Sequence, residues 1–290
     1  MTYLAGTHSL LTAILGVFLM AMPCLAQTAS VPEKAHLVPH RATYAVSLKN
    51  VKNGSSVQSV SGTMLFGLSD TCEGWATDQQ LQLHFNFADG DASDVASAVA
   101  TWESKNGSAF RFNVKRTTDG TVDEVYKGKA TMTSGKGGEA TYAQPEDKAN
   151  IALPAQTVFP ARHTAQILDN AFAGNKLFMR RVFDGSEEEG MVDASTFIGG
   201  KEDATTGETP KGLEGAALAL WQHPYWPVRL AYYKPDDQTG EPDYEMEMLL
   251  QDNGIARSMV IDYGEFSLLG TLTALAPNEP TGCGVKQGGS

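Results

Sequence analysis

Cysteine is scarce in this chain of 290 residues, occurring only at positions 24, 72 and 283. None stands in a CxxC or CxH pattern, so no tetrahedral metal centre is written into the sequence. Basic residues are also few, 22 against 34 acidic, and the net charge of -12 argues against a nucleic-acid partner. No Pro/Ser-rich linker and no internal repeat divides the chain, which favours one domain over residues 27–290. There is no GxSxG elbow, and "SGKGGEA" at 134–140 has glycines and a lysine in the wrong order for a phosphate cradle. "SEEEG", beginning at residue 186, lacks the spaced oxygen donors of a calcium loop and reads as a solvated acidic turn. These absences leave no catalytic residue, no metal site and no cofactor site to nominate.

The amino terminus is more informative. Leu10 to Met22 form one apolar run of 13 residues, the length of a signal-peptide core and well short of the roughly 20 that a spanning helix needs. Small residues at Cys24 and Ala26 place the cleavage between Ala26 and Gln27, making residues 1–26 a signal peptide, although residues 1–9 carry no Lys or Arg. A lipid anchor on Cys24 is the rival reading, and Pro23 disfavours it. Cleavage leaves Cys72 and Cys283 in an oxidising compartment, the periplasm, where an even count reads as a disulfide. Closing so long a loop restricts the unfolded chain by up to about 5 kcal/mol. No further run is long enough to span a membrane as a helix.

After His40 the pattern is alternation of period two, broken by tight turns. "ATYAVSL", "VSGTMLFGL", "QLQLHFNF", "SAFRFNVKR" and the closing "SLLGTLTAL" each place apolar side chains on one face. Asn-Gly or Asp-Gly pairs at 53–54, 89–90, 106–107, 119–120 and 253–254 mark hairpins with both central residues at positive φ. About a dozen strands or slightly more are expected, in an antiparallel meander. One helix is expected over 161–173 and a shorter one over 213–222, with 199–212 between them as a mobile loop. A sheet this long with one dry face must roll up, giving a mainly β, barrel-like architecture whose lumen suits an apolar ligand.

Candidate residues are few. His36 and His40 stand four apart, but on an extended lead into a strand that spacing separates them by about 13 Å, too far to share a metal. His163, beside Arg162 at the start of the longer helix, reads as an anion or base site or, in the plainer reading, as packing against the sheet. His84 and His223 have no partners nearby in sequence. "LWQHPYWPVRLAYY" at 220–233 is the richest aromatic stretch. Trp221, Tyr225 and Trp226 are its candidates for a ligand lip, the alternative being a buried corner turned by Pro224 and Pro227.

Six stretches carry a family likeness in order: "HLVPHRATYAVSL", "CEGW", "TWESKNGSAFRF", "LPAQTVFPARHTAQIL", "FDGSEEEG" and "DYGEFSLLGTLTAL". Together they resemble the cell envelope integrity EipB family of alphaproteobacterial periplasmic proteins, over roughly residues 36–283. The resemblance implies a spiral of about fourteen β-strands, reminiscent of the lipoprotein carriers LolA and LolB. It also implies a joined cysteine pair, matched by position to Cys72 and Cys283, and a non-enzymatic part in envelope maintenance. The expectation is binding: an apolar ligand such as a lipid or lipoprotein in the lumen, or docking on another periplasmic envelope protein. An envelope hydrolase is the remaining alternative.

Overall fold

The computed structural model describes residues 35–186, 190–236 and 239–278. The expected cleavage site at Ala26 and Gln27, and Cys24 and Cys283, lie outside them. The alternating stretches form two antiparallel meanders. The first runs through β1 (His40–Val51), β2 (Val57–Asp70), β3 (Gly74–Phe87), β4 (Ala92–Ser104), β5 (Ala109–Thr118), β6 (Thr121–Thr133), β7 (Gly137–Gln144) and β8 (Ile151–Leu153). The second runs through β9 (Leu177–Phe183), β10 (Met191–Ile198), β11 (Tyr225–Tyr233), β12 (Tyr244–Gln251), β13 (Ala256–Asp262) and β14 (Phe266–Pro277). Within each meander every strand pairs with the next, and β1 pairs with β14 from His40↔Pro277 to Val51↔Phe266, making one sheet of fourteen strands with β8 and β9 at its edges.

The two edges meet at a seam. Beyond β8 the Val158 N–H donates to the Arg181 carbonyl at 3.0 Å, and the Phe183 N–H donates back to Val158 at 3.0 Å. Rings from both sides fill the joint: Phe110 stacks on Phe159 at 4.8 Å, and Phe112 meets Phe183 edge-on at 5.6 Å. Gly185 has φ +70 and lies so close that a Cβ there would come within 2.6 Å of the Phe112 ring. Of the five hairpin pairs, only Asp119-Gly120 has both residues at positive φ. The other four sit in loops longer than two residues, where the glycine alone needs the left-handed region.

Two helices lie where expected, α1 (Pro160–Phe172) and α2 (Gly215–Trp221). Pro160 opens α1, where its missing N–H costs no hydrogen bond. Because every connection within a meander reverses direction, the turns alternate between two ends of the sheet. Both helices belong to connections at the same end, here called the helical end. The opposite end, the rim, carries only turns among the described residues.

The 199–212 segment is tied down through Thr206, where composition led to the expectation of a mobile loop. Glu202 and Tyr225 exchange backbone hydrogen bonds at 2.8 and 3.1 Å. Arg257 of β13 donates to the carbonyls of Ala204 and Thr206 at 2.6 and 2.9 Å, and to those of Trp221 and His223, each at 3.1 Å. Its guanidinium lies 4.4 Å from the Trp221 ring and 4.3 Å from the Tyr225 ring. Among the described residues no carboxylate pairs with it; carbonyl oxygens and ring faces carry the compensation. Arg257→Ala is therefore expected to lower unfolding free energy by about 3 kcal/mol, read by urea titration. It should also open 199–212 to proteolysis. Arg257→Lys should restore little, because a point ammonium cannot span four carbonyls.

Candidate functional site

Pairing register sorts side chains into an inner and an outer wall, and the inner wall changes character along its length. At the helical end its side chains are buried: Phe110 on β5, Ile198 on β10, Trp226 on β11 and Leu250 on β12. Toward the rim several apolar side chains of the same wall become half-exposed, Leu81 and Phe85 on β3, Val95 and Val99 on β4, Met246 on β12 and Ile261 on β13, while Val60, Leu83 and Val114 stay buried and Arg116 pairs there with Glu124. A barrel of eight strands is filled by its own side chains; fourteen enclose more space than theirs can fill. α1 fills part of that space, packing Ile167, Leu168 and Ala171 with Leu68, Trp226, Leu230 and Leu250. Trp221 of α2 packs with Tyr44, Leu83 and Leu272. The helices thus fill the interior at one end, and apolar inner-wall side chains remain partly accessible toward the other.

An arc of six rings follows the rim. Phe87 stacks on Phe85 at 6.1 Å, Phe85 meets Phe266 at 5.8 Å, and Phe266 meets Tyr263 at 5.3 Å. Tyr263 lies 6.2 Å from Tyr244, which stacks on Tyr232 at 4.5 Å. The arc crosses from β3 to β14 to β12 and β11, and Tyr263 is 44 % exposed. Asp184 stands at its end, where burial pushes its carboxyl up although the residue keeps some exposed surface. Burial first and the Asp184 charge second push the Tyr232 and Tyr142 hydroxyls up as well. Further round the rim, the Lys148 ammonium lies over Tyr142 at 4.9 Å and over Tyr126 at 5.7 Å.

The longer helix is held by a residue that sequence reading did not single out. Glu103, on the inner wall of β4 and 3 % exposed, accepts the Ala161 and Arg162 backbone N–H groups at 2.7 and 2.9 Å. It caps α1, whose own N-cap Phe159 has no side-chain acceptor. Burial nevertheless outweighs these bonds and raises the Glu103 carboxyl to about 7. Parity along the strand was a legible signal, since Val95, Val99 and Glu103 alternate to one side.

The histidines and aromatics found from sequence are placed as follows. His163 is buried against Phe178 with Nε2 lacking a hydrogen-bond partner, and burial lowers it to about 4. His40 is buried with Nδ1 2.7 Å from the Val38 carbonyl oxygen, while His36 is exposed. His84 and His223 contact Asp94 and Asp252 at 2.7 and 2.6 Å. Trp221, Tyr225 and Trp226, the candidate lip, are only 4 %, 5 % and 3 % exposed. They form the buried corner instead, two flanking Arg257 and the third packing on Phe172 at 5.2 Å. Cys72 is exposed, just beyond β2. Among the described residues no cluster of His, Cys, Asp or Glu could hold a metal ion. Two grooves lie on the outer wall. One, of about 570 Å³, runs between Trp102, Arg111, Lys127 and Lys129; the other, of about 830 Å³, is floored by Phe197, Pro227, Leu249 and Val260.

Glu103 and His163 give opposite pH signatures. The raised Glu103 contributes stability that is complete below about 4.5 and is lost as pH rises through about 7, some 3 kcal/mol in all. The depressed His163 contributes stability that is complete above 6.5 and is lost as pH falls through about 4. In Glu103→Gln the glutamate contribution is lost and the His163 contribution remains. Urea midpoints are then expected to fall more steeply on acidification from pH 7 to 4.5 than in the wild type. Parallel profiles for the two proteins would show that Glu103 is not the titrating group.

Comparison with known proteins agrees with this architecture. Residues 32–279 match the family model described as EipB-like. The cell envelope integrity protein EipB of Brucella abortus (strain 2308) is 29 % identical over 264 residues, covering 89 % of this chain and 92 % of that protein. The crystal structure of a beta-barrel-like protein of a domain of unknown function from Brucella abortus superposes with a TM-score of 0.76 at 26 % identity, covering 84 % of this chain and 100 % of the other. A fourteen-stranded, nearly closed sheet with a match along almost its whole length makes this chain a member of the EipB-like family of cell envelope integrity proteins.

Proposed function

We propose that this chain works in the periplasm by binding, holding the acyl portion of a lipid or lipoprotein in its lumen. The observation that carries the reading is the set of half-exposed apolar side chains on the inner wall toward the rim, Leu81, Phe85, Val95, Val99, Met246 and Ile261, whereas those at the helical end are buried. Apolar surface left accessible inside a preformed concave wall is what a hydrophobic ligand displaces water from. The roles of Glu103 and Arg257 fit the same reading. Both are charged inner-wall groups, and both are consumed in holding helices or loops rather than facing a substrate.

A second reading, docking on another envelope protein, is favoured by the outer surface. Phe197 of β10 and Leu177 of β9 are directly paired, with Met179 next along the same face, and they are 50 %, 70 % and 57 % exposed. The outer groove continues from this patch through Pro227 and Leu249.

The cysteine pairing belongs to the same proposal. The Asn278 side chain donates to the Leu68 carbonyl at 3.1 Å and to Ser69 Oγ at 2.8 Å, which brings the chain leaving β14 beside the end of β2. Cys283 lies five positions after Asn278, a reach of up to about 17 Å, and Cys72 three positions after Ser69. Such a bond would clamp the carboxy-terminal segment onto the first meander.

Two measurements test these readings. Delipidated protein should take up a fluorescent acyl probe at micromolar concentration, and Val99→Trp, which intrudes into the lumen, should weaken uptake about tenfold while leaving Tm nearly unchanged. No uptake, together with a protein partner captured by crosslinking through the Phe197 face, would favour the docking reading. For the cysteines, thiol labelling of the mature wild type under denaturing, non-reducing conditions should find none, and Cys283→Ser should expose one. Two free thiols in the wild type would sink the pairing.

A further inference from the structure

The rim sorts charge as well as rings. The turns at that end span 52–56, 88–91, 119–120, 145–150, 184–186, 234–243 and 263–265, and their described residues hold ten carboxylates against three lysines. The turns at the helical end, 71–73, 105–108, 134–136, 173–176, 199–214 and 252–255, hold six against five. Within the rim runs the arc from Phe87 to Tyr232, continuous ring to ring and opening onto the apolar inner wall. From this combination we propose that the arc is the mouth of the lumen and selects an amphiphile whose polar head is cationic, an ammonium or quaternary ammonium group. This rests on the lumen reading above and specifies the ligand's head.

The rings carry the argument and the carboxylates supply its sign. Ring faces attract a cation through their quadrupole, while an anionic head would meet repulsion from the turns. The chain already shows the interaction at this rim, where its own Lys148 ammonium lies over Tyr126 and Tyr142. The nearby inner-wall cation, Arg116, is paired with Glu124 at 2.5 Å, so it does not offer an anionic head an uncompensated charge. Tyr263, the most exposed ring of the arc, sits in a turn between Asp262 and Glu265 with the acyl-lining Ile261 two residues before it. One ligand can thus place its chain against Ile261 and Met246 and its head among Tyr263, Tyr244 and Phe266.

The experiment is displacement of a fluorescent acyl probe from the full mature protein by ten-carbon amphiphiles differing only in the head. Decyltrimethylammonium is expected to displace the probe at about tenfold lower concentration than decanol, and decanoate to be weaker than decanol. Added salt should narrow the spread between the two charged heads. Tyr263→Leu keeps apolar area but removes the π face. It should abolish the preference for the ammonium head while leaving decanol displacement unchanged, which also shows that the variant is folded. Equal displacement by all three heads, or a preference that survives in Tyr263→Leu, would overturn the mouth assignment and leave the lumen reading standing. Failure of the probe itself to bind would remove both.

Discussion

The pairing of β1 with β14 is the constraint on which the remaining structure depends. It joins residues more than two hundred positions apart through eleven matched pairs, and it converts two separate meanders into one sheet. Without it, β1 and β14 would be free edges and each half would be an open sheet with its apolar face in water. The ring arc also crosses this junction, because Phe85 lies on β3 in one meander and Phe266 opens β14 in the other. A contact so distant in sequence closes late and costs loop entropy, so a covalent clamp near the same junction would act where the chain needs it most. The Asn278 bonds to Leu68 and Ser69 hold the last described residue beside the end of β2.

Two charged residues organise the helical end by the same device in opposite senses. Glu103 is surrounded by backbone N–H groups at the start of α1, and Arg257 by backbone carbonyls of the 199–224 connection. Among the described residues neither forms a salt bridge; each is matched chiefly to peptide dipoles that the local backbone leaves unsatisfied. This choice has a geometric consequence. A salt bridge joins two side chains, but a charge surrounded by peptide groups joins a side chain to a whole segment. The helical end is therefore anchored to β4 and β13, on opposite meanders.

Local pattern made much of this fold legible. The alternating stretches became strands, Pro160 marked the start of α1, and the shorter helix lies inside the range expected for it. The functional surface was harder to read for a definite reason. Density of aromatics along the chain, as in Trp221, Tyr225 and Trp226, signals a buried corner because adjacent bulky residues can only pack by filling a bend. The six rim rings come instead from four separate stretches, Phe85 with Phe87, Tyr263 with Phe266, Tyr244 and Tyr232, which meet only in the folded sheet. Glu103 falls between these cases. Its inward direction was implied by alternation with Val95 and Val99, but the helix it caps lies nearly sixty residues away in sequence.

The same logic gives the net charge a meaning that composition alone does not. A value of -12 averaged over the chain suggests little beyond solubility. An antiparallel meander, however, sends alternate turns to opposite ends, so any bias in alternate turns becomes a polarity of the whole barrel. Here that bias is strong: the turn after β3 carries Asp89 and Asp91, and the turn after β13 carries Glu265, whereas the turns after β4 and β6 carry Lys105 and Lys136. Negative potential therefore gathers at the end where the inner wall is accessible and away from the end that the helices fill. Carboxylates packed around a mouth repel one another, and that repulsion is tolerated in turns because solvent screens it there. A cationic head seated among the rings would relieve it further, which couples what the rim costs in the empty barrel to what it gains when filled.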